Sequence, residues 1–571
     1  MAKRIPAPWL KFYGKRKKTI KYLDTSMYDE VKKASDKYPE NIALNYFGNK
    51  MNFSMFITSV DRAAQSFVSL GVGKGDVISL CSPNIPEAIV ALYAINKIGA
   101  VANIFHPLSA PNEIRDNLNL VDSKLFLAFD GAWPNIKPIL EETNVEQIVI
   151  LSPADSLPLG TWLGYKLLNV KEIRKQLRQI LTRNKTTMSW DEFMTRGKMV
   201  VGDVYQKMGK DELAIVLYSG GTTGTSKGIA LTNLTFNAQA IELEDYVRHI
   251  SPIAGKIMLG LMPIFHGFGL GVGIHTALSN GAGVALFPKF DVKKFDKILS
   301  ESKANFLIGV PALYEAMLNN KKVHKMDLSF IKAAFSGGDT VTADLRKEVN
   351  KLFKAGGSKG RLLEGYGLTE SVSVVSVNPA NKEKDGSIGI PLADNYFKIV
   401  EPKTYITKPV GQTGEIVLTG PLVMKGYINN EKETNLALQM HPDGHIWLHT
   451  GDMGHMDKDG YFYFTDRIKR VIISAGYNIY PSEIEKVIMK VPGVLLATVV
   501  GIPDRYRGQI AKAFVVLKNG NTPDKEFEDL IMKACADNLA KYKWPRKIEF
   551  RKSLPKTGIG KVDYRELKEE K

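Results

Sequence analysis

The chain predicts an α/β fold: a large N-terminal domain of layered, mostly parallel sheets with helices, and a smaller α/β domain after it. Three observations carry this. The 571 residues hold several domains' worth of chain. Through the first two thirds, short apolar runs alternate with helical patterns, as strand–helix–strand units require. Near residues 411–466 that rhythm breaks, and the last hundred residues start a strand–helix pattern of their own.

The elements follow in order. Val77–Cys81 (Val-Ile-Ser-Leu-Cys) reads as a strand ending in Ser82-Pro83-Asn84, and 87–98 as a helix closed by Gly99. Leu125–Phe129 and Gln147–Leu151 are further strands. The strand at 213–218 runs into a glycine-rich turn, and 258–262 and 283–287 are strands with helical patterns between and after them. Short strands at 415–419, 445–448 and 461–464 are punctuated by Gly-Asp and Asp-Gly turns. The charged run Asp466-Arg467-Ile468-Lys469-Arg470 between two apolar strands sets the expected boundary, giving domains 1–466 and 467–571. Beyond it, 481–490, 497–500, 513–517 and 527–539 make a compact α/β unit.

Hydrophobic residues make up 44% and charged residues 24%, the composition of a soluble globular protein, which excludes global disorder. No window holds 18 uninterrupted apolar residues, so no transmembrane helix is expected. Met1-Ala2-Lys3-Arg4-Ile5-Pro6 has no apolar stretch behind its charge, so no signal peptide is expected. Two cysteines, Cys81 and Cys535, cannot build a disulfide framework, and a cytoplasmic location is expected.

The net charge is +17, and +14 of it lies in two segments: eight basic residues without an acid in 1–21, and seven against Glu172 in 160–185. Three readings stand. Solvated faces are the plain one. Nucleic-acid binding lacks any accompanying motif and is not expected. Peripheral contact with an anionic membrane, on the inner face of the cell membrane, is the third. Trp162 and Leu163 precede Ile173, Leu177, Ile180 and Leu181 at helical spacing with Arg174, Lys175 and Arg178 between them, and Trp9, Phe12 and Tyr13 lie among the basics of the first segment.

The strongest chemical signal is Tyr218-Ser219-Gly220-Gly221-Thr222-Thr223-Gly224-Thr225-Ser226-Lys227-Gly228. Glycines let the backbone bend around an anion and present its N–H groups, hydroxyls donate to phosphate oxygens, and Lys227 adds a compact positive charge. Neither the Walker pattern nor the dinucleotide fingerprint occurs, so a nucleotide would be held in another way.

This loop resembles the phosphate loop of the adenylate-forming superfamily, which includes acyl-CoA synthetases, carrier-protein adenylation domains and firefly-type luciferases. Further motifs match in order: Phe265-His266-Gly267-Phe268-Gly269, Ser336-Gly337-Gly338-Asp339, Gly365-Tyr366-Gly367-Leu368-Thr369-Glu370, Thr450-Gly451-Asp452, Asp466-Arg467-Ile468-Lys469, and Pro555-Lys556-Thr557-Gly558-Ile559-Gly560-Lys561. Pro8-Trp9-Leu10-Lys11, Gly309-Val310-Pro311-Ala312-Leu313-Tyr314 and Leu539-Ala540-Lys541-Tyr542-Lys543 are similar to bacterial long-chain fatty-acid–CoA ligases. Two departures stand out: His106 where those enzymes often carry Asn, and Ala475 for the first glycine of the usual pair before Tyr477.

The resemblance implies ATP, Mg²⁺ and coenzyme A, a carboxylic acid as substrate, and a mobile small domain. Acyl-adenylate and pyrophosphate form first; CoA then displaces AMP. It implies phosphate contacts from Ser219, Gly220, Gly221, Thr222, Thr223, Gly224 and Lys227, and adenine contacts near Gly338, Asp339, Glu364, Gly365 and Tyr366. Thr369 would reach the α-phosphate, Glu370 and Thr222 the metal, and Asp452 with Arg467 the ribose. His266 would border the carboxylate, Lys561 would serve the first half-reaction, Lys469 would be the hinge, and Gly476 and Lys289 would meet CoA. A fatty acid of medium or long chain is the leading substrate. An aryl–CoA ligase or a carrier-protein-directed adenylating enzyme is the alternative. A catalytically silent, membrane-docked binder is a third reading, against which Lys561, Glu370 and Asp452 are all present.

Overall fold

The computed structural model describes residues 4–158, 186–219, 227–289, 291–339, 341–380, 382–474, 477–539, 541–556 and 562–569. Contacts divide the chain into two compact units: Met1–Tyr396 with Leu418–Leu448, and Phe397–Val417 with His449–Lys571. The expected boundary after Asp466 differs from this division over 397–417 and 449–466.

The first unit is built on two sheets. One orders its strands Gly426–Tyr427, Lys227–Thr232, Leu213–Ser219, Val101–Ile104, Val77–Cys81, Leu125–Phe129, Gln147–Leu151 and Thr186–Ser189. The other runs Ile390–Pro391, Val374–Val377, Leu362–Gly367, Ala333–Ser336, Phe306–Gly309, Ile257–Gly260, Gly283–Leu286, Ile42–Tyr46 and Asn49–Asn52. Neighbours in the centre of each sheet pair in parallel, and the antiparallel pairs lie towards the ends. Strands buried on both faces read as continuous apolar runs, which is why Val77–Cys81 and Leu125–Phe129 were legible.

The predicted helix at 87–98 spans Pro86–Lys97, with proline in its first turn, and every residue of it is buried. A helix apolar all round must be enclosed. It packs against the helices Met27–Lys37 and Phe53–Ser69. Lys97, at its last turn, is neutralised by Asp61 and Asp203 at 2.8 Å each.

The N-terminal arm is strapped to the same unit. Trp9 is 1% exposed and Tyr13 3%. The Tyr13 hydroxyl donates to the Pro391 carbonyl at 2.8 Å, and the Ile20 amide to Asp394 at 2.7 Å. These aromatics are therefore core residues and are not available to a membrane, whereas Lys11, Lys15, Lys17, Lys18 and Lys21 face outward. The second basic segment, 160–185, lies outside the described residues.

In the second unit, Thr450-Gly451-Asp452 is not a turn, as its Gly-Asp pair had suggested. It lies inside the long strand Ile446–Met456, where Gly451 at φ +71° kinks the backbone. Thr450 Oγ1 donates to the Ile416 carbonyl and the Gly451 amide to Glu415, which hold the kinked strand to its neighbour. The C-terminal sheet orders Tyr477–Ile479, Ile472–Ser474, Gly508–Leu517 and Val494–Asp504, with Lys547–Phe550 paired to Gly508–Leu517. Its cluster of Ile472, Ile484, Ile488, Val499, Val515 and Ile531 gives this end a core of its own.

The segment after Gly267 forms a π-helix, Phe268–His275, which apolar periodicity does not disclose. It ends on His275, fully buried between the Tyr93 hydroxyl at 3.1 Å and Asn237 Oδ1 at 2.9 Å. Burial pushes its imidazole down from 6.5 to about 3. The unfolded chain takes up a proton here below pH 6.5 and the folded chain refuses it to about 3, so stability is lost as pH falls through that window. We expect His275→Gln to flatten the acid limb of the thermal transition, removing roughly 3 kcal/mol of pH dependence between about pH 6.5 and 4.5. Calorimetric melts across that range check it; an unchanged acid slope would assign the loss to other groups.

Candidate active site

In open parallel sheets, ligands bind beyond the carboxyl ends of the strands. The predicted motifs of the first unit sit there. Leu213–Ser219 ends at the phosphate loop, Ala333–Ser336 at Gly337-Gly338-Asp339, and Leu362–Gly367 just before Thr369-Glu370. Ile257–Gly260 leads into His266 six residues on.

Gly220, Gly221, Thr222, Thr223 and Gly224 lie outside the described residues, but both ends of their loop are pinned. Ser219 pairs with Lys227 and Tyr218 with Gly228 in an antiparallel hairpin. The Tyr218 hydroxyl donates to Asn103 Oδ1 at 2.8 Å, tying the loop's entrance to the neighbouring strand. Lys227 is ion-paired with Glu433 and lies 4.9 Å from the centre of the Tyr427 ring. The Tyr427 hydroxyl in turn donates to Glu370 Oε1 at 3.0 Å. Burial and the neighbouring Glu370 raise that phenol's pKa, so it remains a donor. The structure thus joins Lys227 and Glu370, predicted separately, through Tyr427, which sequence reasoning missed along with Glu433. The signal available was Gly426-Tyr427-Ile428-Asn429-Asn430, a constrained turn whose Gly426 has φ +151°.

Thr369 and Glu370 stand on a short 3₁₀ turn, Thr369–Ser371. Val372 follows at φ +61° and ψ −62°, with the Ser373 amide donating to the Ser371 carbonyl at 2.7 Å. This is the rare, strained form of γ-turn, here on a β-branched residue. Two glycines make room for it. A Cβ on Gly267 would fall 1.5 Å from the Val372 oxygen, and one on Gly367 1.3 Å from the Ser373 oxygen. The backbones of the His266 segment and the Thr369-Glu370 turn are therefore in direct contact. The His266 ring centre lies 5.1 Å from that of Phe265, which lies 4.3 Å from that of His106. His106 Nδ1 accepts from the Leu108 amide at 2.8 Å, and burial lowers its pKa, so it is held neutral.

On the neighbouring strands, Ser336 pairs with Glu364 and Gly365 with Val377, while Tyr366 is half-buried. Buried Glu364 accepts from the Val341 amide at 3.3 Å. Gly338 turns at φ +78° and Asp339 is exposed. Below this turn a narrow apolar pocket is lined by Leu243, Val247, Met258, Phe268, Val272, Phe306, Phe335 and Val374, with Ser336 and Gly365 at one end. It follows the strands, since Ser336 ends its strand whereas Met258 and Phe306 begin theirs. Ser336 Oγ, fully enclosed, has no hydrogen-bond partner among the described residues.

In the second unit, Asp452 and Arg467 face each other in register, with Nε 3.3 Å from Oδ1. Asp452 is buried and Arg467 exposed. Lys469 is exposed on the 3₁₀ turn Ile468–Arg470. Arg470 beside it bonds Glu485 at 2.5 Å and lies 3.6 Å from Asp466. Lys289 is exposed, without a hydrogen bond or ion pair among the described residues. Gly476 and Lys561 lie outside them.

No cluster of three or more His, Cys, Asp or Glu able to hold a metal occurs among the described residues. Glu370 offers a single hard oxygen donor, and a Mg²⁺ held jointly with substrate phosphates needs only one or two carboxylates. The donor set fits that ion.

Residues 31–428 match the model of the AMP-binding enzyme family and 483–561 that of the AMP-binding enzyme C-terminal domain. A long-chain-fatty-acid–CoA ligase of Bacillus subtilis is 33% identical over 94% of this chain and 92% of its own. ATP-bound MatB from Rhodopseudomonas palustris superposes with a TM-score of 0.81 at 25% identity, over 96% of this chain and 99% of that one. An o-succinylbenzoate CoA synthetase from Bacillus subtilis, solved with its acyl-adenylate, gives 0.75 at 25% identity over 96% and 99%. The two family models together cover most of the chain, and the chain belongs to the AMP-binding family of adenylate-forming enzymes.

Proposed function

We propose that this acid–thiol ligase activates a medium- or long-chain fatty acid with ATP and passes the acyl group to CoA. The pocket's lining carries the reading: it is apolar apart from Ser336 and Thr276, and at one end it includes Ser336 and Gly365 of the nucleotide motifs. The B. subtilis relative's name points the same way. In the first half-reaction the acid's carboxylate attacks the α-phosphorus and pyrophosphate leaves. In the second, the CoA thiolate attacks the acyl carbon and AMP leaves. Bringing a carboxylate to a polyphosphate is opposed by charge, so positioning and neutralisation carry the catalysis.

Ser219, Lys227 and the loop between them hold the β- and γ-phosphates. Thr369 donates to the α-phosphate, and Glu370 with Thr222 holds Mg²⁺, which when bound neutralises phosphate charge. Tyr366, Gly338, Asp339, Glu364 and Gly365 frame the adenine, and Asp452 accepts from the ribose hydroxyls with Arg467 fixing its carboxylate. Ser336 stands at one end of the pocket, and His266 borders the substrate carboxyl. Lys561 supplies the cation of the first transition state, Lys469 is the hinge between the half-reactions, and Gly476 and Lys289 contact CoA.

A pyrophosphate-release panel over carboxylic acids, with and without CoA, tests the substrate class. Each buried methylene adds about 0.8 kcal/mol, so kcat/KM should rise up to about fourfold per carbon until the cavity is full. Met258→Trp, at the far end, should shift that plateau to shorter acids. A preference for aryl acids, or acceptance of a carrier protein in place of CoA, would overturn the reading.

Lys561→Ala should abolish acyl-adenylate formation and leave thioesterification of supplied acyl-adenylate largely intact. Equal loss of both half-reactions would remove Lys561 from its assigned role.

We also propose peripheral docking on anionic membranes, where long-chain acids concentrate. The exposed lysines of the N-terminal arm support an electrostatic contact, each basic residue near the surface contributing roughly 1 kcal/mol before screening. Vesicles rich in phosphatidylglycerol should co-sediment the enzyme at low salt. High salt should remove the share due to the arm, and any remainder should depend on Trp162. No association at low salt leaves these segments as solvated surface.

A further inference from the structure

Glu370 is held from two directions by one segment. Its backbone carbonyl accepts from the Met424 amide at 2.8 Å, and its carboxylate accepts from the Tyr427 hydroxyl at 3.0 Å. Only Oε1 is used; Oε2 accepts no hydrogen bond among the described residues. Tyr427 is itself fixed. It pairs with Ile229 in the sheet, its amide donates to Thr434 Oγ1 at 2.9 Å, and the Lys227 ammonium lies 4.9 Å from its ring centre. Gly426 beside it sits at φ +151°, where a side chain would meet Thr434 at 2.8 Å.

We propose that Tyr427 is a positioning residue for the divalent metal: it locks the Glu370 carboxylate in one orientation with Oε2 presented to the ion, and ties that orientation to the lysine ending the phosphate loop. The inference rests on reading Glu370 as the metal ligand. The physical ground is general. A ligating carboxylate is oriented by a hydrogen bond to its other oxygen, and loss of such a partner lowers metal affinity by about 10- to 100-fold. With Oε1 already engaged by Tyr427, the orientation of this carboxylate decides where Oε2 is presented. The side chain doing this lies on a short strand more than fifty positions from its acid, joined to the phosphate-loop hairpin by two residue pairs, Gly426 with Ala230 and Tyr427 with Ile229.

The test uses the full-length enzyme with β,γ-methylene ATP and follows free Mn²⁺ by electron paramagnetic resonance. Tyr427→Phe removes one oxygen and should weaken Mn²⁺ binding about tenfold, with unchanged melting and unchanged thioesterification of supplied acyl-adenylate. Glu370→Gln separates the two ideas. If it binds Mn²⁺ like the wild type, the metal reading of Glu370 fails. If it loses Mn²⁺ while Tyr427→Phe does not, the role of Tyr427 alone fails. Should Tyr427→Phe melt early, 3-fluorotyrosine placed at 427 in the otherwise native chain gives the answer. Its ¹⁹F resonance should move when Mg²⁺ is added to the nucleotide complex, and a stationary resonance overturns the proposal.

Discussion

The contact between the backbone at Gly267 and the strained turn at Val372 sets the geometry on which the rest of the candidate site depends. Neither position 267 nor 367 has room for a single carbon, because carbonyl oxygens of Val372 and Ser373 occupy the space. Three segments that arrive from different strands are thereby placed within backbone contact: the His266 segment, the Tyr366 strand end and the Thr369-Glu370 turn. A γ-turn of this sign on a β-branched residue costs about 1–3 kcal/mol and persists only where the surroundings over-determine it. Here the surroundings are explicit. Ser371 Oγ donates to the Leu368 carbonyl, and Gln239 both donates to the Val374 carbonyl and accepts from its amide. The turn cannot relax without moving the groups assigned to the carboxylate and the metal.

The parts of this architecture that were legible in the sequence are those where one residue type has one physical use. Val77–Cys81 and Leu125–Phe129 are apolar without alternation because parallel strands are covered on both faces. Ser336-Gly337-Gly338 and Gly365-Tyr366-Gly367 are glycine-rich because backbones approach there. Other parts depend on partners far along the chain and left no local mark. The π-helix Phe268–His275 has the composition of any buried helix. Thr450-Gly451-Asp452 has the composition of a turn, and its bonds to Ile416 and Glu415, with the pairing of Asp452 to Arg467, keep it in the strand. Trp9 and Tyr13 look interfacial among lysines, yet their partners Tyr396 and Pro391 lie nearly four hundred residues away. Tyr427 belongs to the same class, since its meaning is the distance to Glu370.

Charge in the first unit is arranged so that the nucleotide end is poised rather than neutral. Lys227 is only 17% exposed and already matched by Glu433. With Lys227 as the proposed phosphate contact, an arriving polyphosphate would have to share or displace that carboxylate, at a cost in ground-state affinity. The surface follows the opposite rule. The lysines of the N-terminal arm stand in solvent, where screening acts within about 8 Å at physiological salt. One set of charges works by proximity in a partly desolvated pocket, the other by number over an open face.

The cavity and the chemistry are separable in this fold, and the strand direction explains why. The groups assigned to the chemistry stand on loops beyond the carboxyl ends of the strands, while the pocket walls are mainly side chains of the strands, of the helix Asn233–Val247 and of the π-helix Phe268–His275. Changing Met258 or Phe306 alters depth at the amino ends without touching the backbone contacts that position Glu370. Ser336 is the point where the two meet, as the last residue of its strand, the first of the glycine turn, and an enclosed hydroxyl facing an apolar space. An unsatisfied buried hydroxyl costs about 1–3 kcal/mol, and a bound carboxyl group at the mouth of the cavity is the group that would repay it. On the proposed reading, recognition of the acid would begin at the head, common to all carboxylic acids, and be graded along the tail by how much apolar wall each chain covers.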